Sequence, residues 1–264
     1  MIWLVLLALF LTGLGVLVWY VVAAPGSQVL GRSLVCGPPD SDKIALTFDD
    51  GPGEATPVVL DMLKQADIRA TFFLCGQNVE RYPEIARRIA QEGHEIGNHT
   101  YTHPRLLGRT PGKIAYEIER AQNIIAHHTG RRPALFRPPF GLRWFGLFRI
   151  LERNSLASVM WSVNSFDWKL PVEQIVERVL NGIGPGAIVL FHDGVPPSWS
   201  QSRDPSTALP SAKLRTGRAG RERPVVFLFR VRKRAASREA TVEALRAVLH
   251  AISGRYRCVP VSEL

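Results

Sequence analysis

The sequence predicts an α/β fold in which about seven parallel strands form a closed or nearly closed barrel, preceded by one N-terminal transmembrane helix. Short apolar runs rich in β-branched residues alternate along the chain with amphipathic helical stretches. Strands and helices that alternate at this spacing are typical of parallel βαβ units. This many units in sequence favour a barrel, and an open doubly wound sheet is the alternative.

The composition is that of an ordinary globular protein with material for a large core. The chain has 264 residues, of which 46% are hydrophobic and 21% are charged. The three cysteines, Cys36, Cys75 and Cys258, are far apart and form no C-x-x-C pair. They therefore indicate neither a zinc ribbon nor a disulfide scaffold, although one disulfide with a spare thiol is compatible with the sequence.

The N-terminal segment predicts a helix that spans a membrane. Met1–Ala24 carries no charged side chain, and Trp19 and Tyr20 lie near its end, where aromatic residues suit the membrane interface. We interpret it as an uncleaved signal anchor; a signal peptide is the alternative, because residues 21–24 are small enough for cleavage. Arg32 favours a cytoplasmic domain under the positive-inside rule, but long domains often cross regardless of such charges.

The remaining elements follow in a regular order. Residues 25–42 are rich in Gly, Pro and Ser and predict a linker, and residues 43–264 form the predicted globular domain. Apolar runs predict strands at Ile44–Phe48, Ala70–Leu74, Glu95–Gly97, Ala134–Arg137, Ala157–Val163, Ala187–Phe191 and Tyr256–Val261. Helical periodicity predicts helices at Pro57–Gln65, Glu84–Gln91, Pro111–His128, Gly146–Arg153, Val172–Leu180 and Glu239–Ile252.

One segment interrupts this alternation and carries most of the net charge. Val195–Arg238 contains eleven Lys and Arg residues against Asp204 and Glu222, which is +9 of the formal net charge of +10. A loop of this length inside a compact domain is typical of a functional or a disordered segment. We interpret it as a solvated, disordered basic insertion, and contact with anionic lipid or an acidic polymer is the alternative.

Polar residues stand at or just after the carboxyl ends of several predicted strands. These residues are Asp49, Asp50, His99, His103, Arg137, Asp167, Trp168 and His192. In a parallel barrel these strand ends share one face, which is where such folds build active sites. Acids that cap the next helix are a common structural explanation for Asp49 and Asp50, but capping does not account for the later strand ends.

The spacing of two histidines predicts a metal site on this face. His99 and His103 are four residues apart, so one helical turn or a tight loop can direct both imidazoles at one ion. Two imidazoles and a carboxylate from another strand end form a catalytic zinc arrangement with a position open for water. His127 and His128 lie at the end of a predicted helix, where positive charge is favourable, and His94 and His250 are interpreted as structural.

Five segments, taken in order, resemble the polysaccharide deacetylase family, also called carbohydrate esterase family 4 or the NodB-homology domain. They are Thr47–Gly51, His99–His103 with the pattern H-[ST]-x-x-H, Arg137–Gly141, Asp167–Trp168 and Leu190–His192. The resemblance covers Lys43–His192 and Glu239–Leu264 and implies a distorted (β/α) barrel, in agreement with the alternation of elements. It also implies that residues 43–264 are a polysaccharide deacetylase catalytic domain.

The resemblance implies a role for each residue that matches a motif. Asp50, His99 and His103 would hold a divalent metal, with zinc expected, and Asp49 would be the general base that takes a proton from the attacking water. The metal and the backbone N–H of Phe140 would stabilise the oxyanion.

The same resemblance implies how the leaving group departs. His192 would protonate the sugar amine, since an amide anion is a very poor leaving group. Asp167 would keep His192 cationic through its opposite charge, and Arg137 would orient Asp49.

Two further positions are implied to contact the substrate, and one departs from the family pattern. Trp168 and Leu190 would line a pocket for the acetyl methyl group, and core packing is the alternative for both side chains. Asn164 stands where many members begin the fourth motif with Asp. Because Asp167 is present, we expect activity to be retained.

These features predict a single-pass membrane protein with an extracytoplasmic, metal-dependent N-deacetylase domain. Its expected substrate is an N-acetylhexosamine polysaccharide, peptidoglycan first and chitin-like oligosaccharide second, and no nucleic-acid partner is expected. The basic insertion would hold the enzyme near anionic envelope polymers or lipid. The alternatives are a catalytically silent carbohydrate-binding protein, against which the complete set of acids and histidines argues, and a metal-dependent amidase on another small amide.

Overall fold

The computed structural model describes residues 1–197 and 238–264 and contains one curved sheet flanked by helices. The strands are β1 (Ser33–Leu34), β2 (Lys43–Gly51), β3 (Thr71–Leu74), β4 (Glu95–Asn98), β5 (Leu135–Phe136), β6 (Ala157–Val159), β7 (Val163–Asn164), β8 (Ile188–His192) and β9 (Arg257–Cys258). The helices are α1 (Ile2–Ala23), α2 (Thr56–Gln65), α3 (Gly76–Arg81), α4 (Pro83–Gln91), α5 (Pro111–Thr129), α6 (Leu147–Arg153), α7 (Val172–Gly182) and α8 (Glu239–Ile252). Within the predicted basic insertion, residues 198–237 lie outside the described part of the chain.

The sheet has the winding of a barrel that stays open on one side. The strand order is β1-β6-β5-β4-β3-β2-β8-β7, with β9 beside the start of β2, and all of these strand pairs are parallel. Strands β2 to β6 lie side by side in chain order, without the central reversal of a doubly wound sheet. The predicted parallel α/β barrel is therefore confirmed, as a half-barrel.

The interior of the sheet is apolar because its central strands are covered on both faces. Phe48 on β2 is fully buried, and its ring stacks on Phe72 and Phe191 from the two neighbouring strands, with centroids 5.0 Å and 5.9 Å apart. Strands buried on both faces read as nearly continuous apolar runs, which explains why β2, β3 and β8 were recognisable. The polar residues are left to the carboxyl ends.

The prediction of a plain linker at residues 25–42 is wrong for part of that segment. Ser33–Leu34 forms β1 and pairs with β6 at the edge of the sheet. The hydroxyls of Ser33 and Ser158 share a buried hydrogen bond of 2.8 Å. Two residues are too few to show an alternating pattern, so composition alone could not reveal the strand.

Two predicted strands are shorter than expected, for identifiable reasons. The strand predicted at Ala157–Val163 is split, because β6 pairs with β1 and β5 whereas β7 pairs with β8. Between them the Met160 carbonyl accepts a hydrogen bond from a buried arginine, Arg137. The last strand, predicted at Tyr256–Val261, is limited to β9, since Pro260 has no N–H for a ladder. Helix α3 was not predicted; it has six residues and no clear periodicity.

Helix α1 has the length and composition needed to cross a membrane. Its 22 residues have a mean hydropathy of 2.5, and at 1.5 Å per residue they cover about the thickness of a bilayer core. Most of its side chains are exposed, and only the end of the helix packs on the domain, where Val22 is buried.

A pair of Gly→Ala substitutions tests the packing of the sheet. A methyl group at Gly97 on β4 would overlap the ring of Phe73, whereas one at Gly112 in the first turn of α5 would meet no atom within 4 Å. We expect Gly97→Ala to lower the free energy of unfolding by about 1–3 kcal/mol. Gly112→Ala should leave it unchanged or raise it by up to about 1 kcal/mol.

Thermal unfolding of the detergent-solubilised full-length chain measures both changes. A Gly97→Ala protein as stable as the wild type would contradict the close approach of β3 and β4.

Candidate active site

A bulge at the end of β2 turns two adjacent acids toward the same place. In a regular strand successive side chains point to opposite faces, but the pairing of β2 with β3 skips Asp50. Asp50 has a φ angle of 69°, a left-handed conformation that Asp adopts more readily than most residues. As a result, Asp49 Oδ2 and Asp50 Oδ1 lie 3.7 Å and 3.6 Å from the same atom, His99 Nε2.

Three of the predicted residues converge as a candidate metal site. Asp50, His99 and His103 are buried, and one ligand atom of each lies within 4.8 Å of the other two. His103 Nε2 is 3.2 Å from Asp50 Oδ1. These are the three residues for which the sequence predicted metal binding.

The loop that carries both histidines is fixed by its own polar side chains. Asn98 Oδ1 accepts a hydrogen bond from the Thr100 N–H at 2.8 Å, and Thr100 Oγ1 accepts one from the His103 N–H at 3.1 Å. Glu117 on α5 accepts from the backbone of Tyr101 and Thr102. Helix α5 therefore positions the loop, a role that no pattern in the sequence indicated.

Burial disfavours the charged form of both imidazoles, and the neutral form has a lone pair that can bind a metal. His99 Nδ1 lies 2.7 Å from the Arg137 carbonyl, which can only accept, so Nδ1 carries the proton and Nε2 is free to bind an ion. Burial, with the charge of His103, lowers the pKa of His99 to about 3. Burial also lowers the pKa of His103.

The residues fit a divalent metal. Asp50 Oδ1 is buried between the two imidazole nitrogens and has no hydrogen-bond partner within residues 1–197 and 238–264. An unpaired buried carboxylate oxygen is costly. A cation would remove this cost, and neutral imidazole with carboxylate is a donor set that suits zinc.

A buried arginine pairs with one oxygen of Asp49. Arg137 Nη1 donates to Asp49 Oδ1 at 2.8 Å and to Thr47 Oγ1 at 2.8 Å, and Nη2 donates to the Met160 carbonyl at 2.8 Å. The guanidinium carbon lies 4.1 Å from the centroid of the Phe73 ring. The two acids thus have different partners and can have different roles.

A second acid–histidine pair lies on the neighbouring strand. His192 on β8 is the register partner of Asp49 on β2. Its Nδ1 is 2.8 Å from Asp167 Oδ1, while Asp167 Oδ2 accepts from the His192 N–H and from Thr241 Oγ1. Burial opposes protonation of His192, but the charge and hydrogen bond of Asp167 outweigh it and raise the pKa of the imidazole above 6.5.

The three residues predicted to contact substrate lie in different settings. Phe140 has a φ angle of 58°, is 41% exposed, and packs its ring 4.6 Å from that of His103. Trp168 meets the ring of His192 edge to face at 4.8 Å. Leu190 is buried within β8.

Sequence reasoning missed a second buried arginine. Arg238 Nε donates to the Gly194 carbonyl at 2.6 Å, and its Nη2 lies 3.5 Å from Asp50 Oδ2, the oxygen turned away from His103. Arg238 is the last of the eleven Lys and Arg residues in Val195–Arg238, so nothing in the sequence distinguished it from the other ten. Its burial, with only 4% of the residue exposed, does so.

Asp193 is a further buried acid that was missed. It accepts a hydrogen bond from Thr56 Oγ1 at 2.5 Å, and burial raises its pKa to about 7. Its backbone N–H donates to the Asp49 carbonyl at 3.2 Å, and its carboxylate lies against Gly51, so we interpret it as part of the support beneath the bulge.

Comparison with known proteins decides the family. The family model for polysaccharide deacetylase matches residues 37–153. A chitooligosaccharide deacetylase from Azorhizobium caulinodans is 38% identical over 161 residues, which are 60% of this chain and 77% of that protein. The chain belongs to the polysaccharide deacetylase family.

Other members of the family are similar in sequence or structure. A peptidoglycan-N-acetylglucosamine deacetylase from Bacillus cereus is 41% identical over 158 residues, which are 59% of this chain but only 58% of that protein. The solved structure of the Bc1960 peptidoglycan N-acetylglucosamine deacetylase is 30% identical with a TM-score of 0.69, covering 88% of this chain and 91% of its own. A family pseudoenzyme from Bacillus anthracis also matches, with 25% identity, a TM-score of 0.69 and coverage of 88% and 68%.

The pairing of Asp167 with His192 predicts a change in a measurable pKa. In the metal-free protein His192 should titrate above 6.5, and Asp167→Asn should bring its pKa below 6.5, because burial then acts without the opposing charge. The pair contributes stability that is present below pH 6.5 and lost as the pH rises through the raised pKa. NMR titration of the histidine ring signals measures the shift.

Asp61→Asn is the matched control, since Asp61 is an exposed acid on α2. It should leave the His192 titration unchanged. An unchanged titration in Asp167→Asn would contradict the assignment of the raised pKa to Asp167.

Proposed function

We propose that this protein is a metal-dependent N-deacetylase that removes acetyl groups from N-acetylhexosamine units of a polysaccharide. The observation that carries the proposal is the cluster of Asp50, His99 and His103 beside a second acid, Asp49, which has its own arginine partner. Relatives named for peptidoglycan and for chitooligosaccharide support the substrate class. Peptidoglycan is the first candidate substrate and chitin-like oligosaccharide the second.

Asp50, His99 and His103 would hold the metal, and we propose zinc because the donor set contains two imidazoles and one carboxylate. When bound, such a cation lowers the pKa of water and polarises the acetamide carbonyl. Arg238 lies at the far oxygen of the Asp50 carboxylate. We infer that it orients Asp50 so that Oδ1 faces the two imidazoles.

Asp49 acts as the general base of the hydrolysis. Arg137 holds Asp49 Oδ1 at 2.8 Å and leaves Oδ2 beside the metal ligands. Oδ2 takes a proton from the attacking water as the new C–O bond forms at the acetyl carbon. The backbone N–H of Phe140 is proposed to stabilise the resulting oxyanion.

His192 acts as the general acid that completes the reaction. Since Asp167 accepts at Nδ1, the proton available for transfer is the one on Nε2. It passes to the sugar nitrogen as the C–N bond breaks, which gives a free amine and acetate. Trp168 packs against His192, and we propose that it lines the acetyl pocket together with Leu190.

The location of the enzyme is inferred from its substrate and its first helix. Both candidate polymers lie outside the cytoplasm, so we propose a single-pass membrane protein whose domain is extracytoplasmic, with α1 as the span. Attraction of the basic insertion to anionic envelope polymers or lipid stays a prediction, because residues 198–237 are outside the described part of the chain.

A catalytically silent carbohydrate-binding protein is the second candidate, since one structural neighbour is a family pseudoenzyme. The presence of both acids, both ligand histidines and the Asp167–His192 pair favours catalysis. Acetate release separates the two functions, because a binding protein would retain glycan without producing acetate.

Two Asp→Asn substitutions at neighbouring positions test the proposed division of roles. The zinc-loaded wild type should release acetate from N-acetylated chito-oligosaccharide or peptidoglycan, lose this activity with a chelator and recover it with zinc. Asp49→Asn should keep the metal and lose about 10²–10⁴-fold in turnover, whereas Asp50→Asn should lose metal affinity as well. Acetate assays combined with metal analysis of the purified proteins measure both effects.

An empty metal site in Asp49→Asn would contradict the separate roles of the two acids. Glycan binding without acetate release by the zinc-loaded wild type, on every polymer tested, would favour the silent binding protein.

A further inference from the structure

The end of the membrane helix is bound by a buried arginine of the catalytic domain. Arg143, which is 1% exposed, lies in the loop between β5 and α6. Its backbone N–H donates to the Val22 carbonyl at 2.9 Å, and its guanidinium donates to the carbonyls of Ala24 and Ser27. Domain and helix therefore meet at a defined contact.

This contact satisfies groups that a helix end leaves unpaired. The last carbonyls of a helix have no partner within it and carry a partial negative charge. The Arg143 backbone N–H pairs with one of them, the Val22 carbonyl, and the guanidinium binds the carbonyls of Ala24 and Ser27 just beyond the end of α1. A span that served only as a flexible tether would leave these carbonyls to water and would not need a buried arginine.

The same contact argues against removal of α1 as a signal peptide. A cut after Ala24 would remove two of the three carbonyls that Arg143 binds. The guanidinium would lose one of its two carbonyl partners, Ala24, and the Arg143 backbone N–H would lose the Val22 carbonyl, which is unfavourable.

The bound loop also forms one side of the candidate active site. Phe140, whose ring packs on His103, lies only three residues before Arg143. Three residues span at most about 11 Å. With the lengths of the two contacts and the Phe140 side chain, the metal ligands lie within roughly 25 Å of Val22.

Exposed aromatic residues lie beside the same contact. Phe145 is 63% exposed and packs on Trp144, while Trp19 and Tyr20 near the end of α1 are 60% and 46% exposed. Aromatic side chains of this kind are enriched where a protein meets the headgroup layer of a bilayer. The 22 residues of α1 carry no charge and have the length of a membrane span, so we take the lipid bilayer as the partner of this surface.

We propose that α1 is a fixed part of the catalytic domain that holds the active site against the bilayer surface, and that the enzyme acts on N-acetylated glycan attached to membrane lipid. A site so close to the bilayer, on a joint without a flexible tether, reaches sugars near the headgroups and not those deep in a polymer layer. This inference rests on the proposed deacetylase activity.

The test uses the full-length enzyme in phospholipid vesicles with three probes of the same acetylated chitopentaose. One probe is soluble, and two are coupled to a phospholipid headgroup through a short spacer of ~5 Å or a long flexible spacer of ~60 Å. We expect the wild type to deacetylate the short-spacer probe about fivefold faster or more than the long-spacer probe, because effective concentration falls with tether length. A Gly/Ser insertion of about twelve residues after Ala24 frees the domain and should bring the ratio toward one.

The same insertion beside Gly254 is the matched control, since a side chain at this position would meet no atom within 4 Å. It should keep the wild-type ratio. A wild-type ratio near one, or a ratio unchanged by the insertion after Ala24, would overturn the inference. Loss of acetate release from the soluble probe in every protein would instead count against the proposed activity.

Two further measurements do not depend on activity. Mass spectrometry of the membrane-extracted protein should find the uncut junction of Ala24 and Pro25, and a chain that starts at Pro25 would overturn the inference. A spin label at Phe145→Cys should be accessible to oxygen in the bilayer. A spin label at Val58→Cys on α2 should be accessible to a water-soluble nickel reagent. Both labels are placed in a protein with Cys36 and Cys258 changed to Ser. Equal exposure of the two labels to water would also overturn the inference.

Discussion

The position of two adjacent carboxylates on one side of a strand is the constraint on which the site depends. Two buried acids at close range repel and favour protonation of one of them, unless each has a cationic partner. Arg137 provides that partner for Asp49. Two neutral imidazoles and an unpaired oxygen of Asp50 leave the second partner to a metal ion. Under the proposed mechanism this division would separate a base from a ligand, although the two residues are neighbours in sequence.

The same constraint shapes the surrounding sheet. A fully buried guanidinium is tolerated only when its N–H groups are paired, and Arg137 uses the carbonyls of Val159 and Met160 for this purpose. The predicted strand at Ala157–Val163 is divided at this point, with β6 paired to β1 and β5 and β7 paired to β8. The irregular part of the sheet thus lies beside the arginine that pairs with Asp49.

Two kinds of feature were predictable from the sequence: strands with a strong apolar pattern and the polar residues of the motifs. Apolar runs located the central strands, and polar residues at strand ends located the candidate metal ligands. The bulge at Asp50 was not predictable, because it depends on a register with β3 that no local pattern specifies. Arg238 and Arg143 look like ordinary basic residues until the fold buries them. Strand β1 pairs with β6, and Arg143 binds the end of α1 and the residues that follow it. The composition of residues 25–42, which predicts only a linker, does not reveal these long-range contacts.

We propose that one cation binds to Asp50, His99 and His103, the three residues whose ligand atoms converge. X-ray absorption at the zinc edge of the zinc-loaded full-length protein tests this most directly. We expect scattering from two imidazole rings and a first shell of nitrogen and oxygen at about 2.0–2.2 Å. A sulfur ligand at about 2.3 Å, or a shell without imidazole, would contradict it.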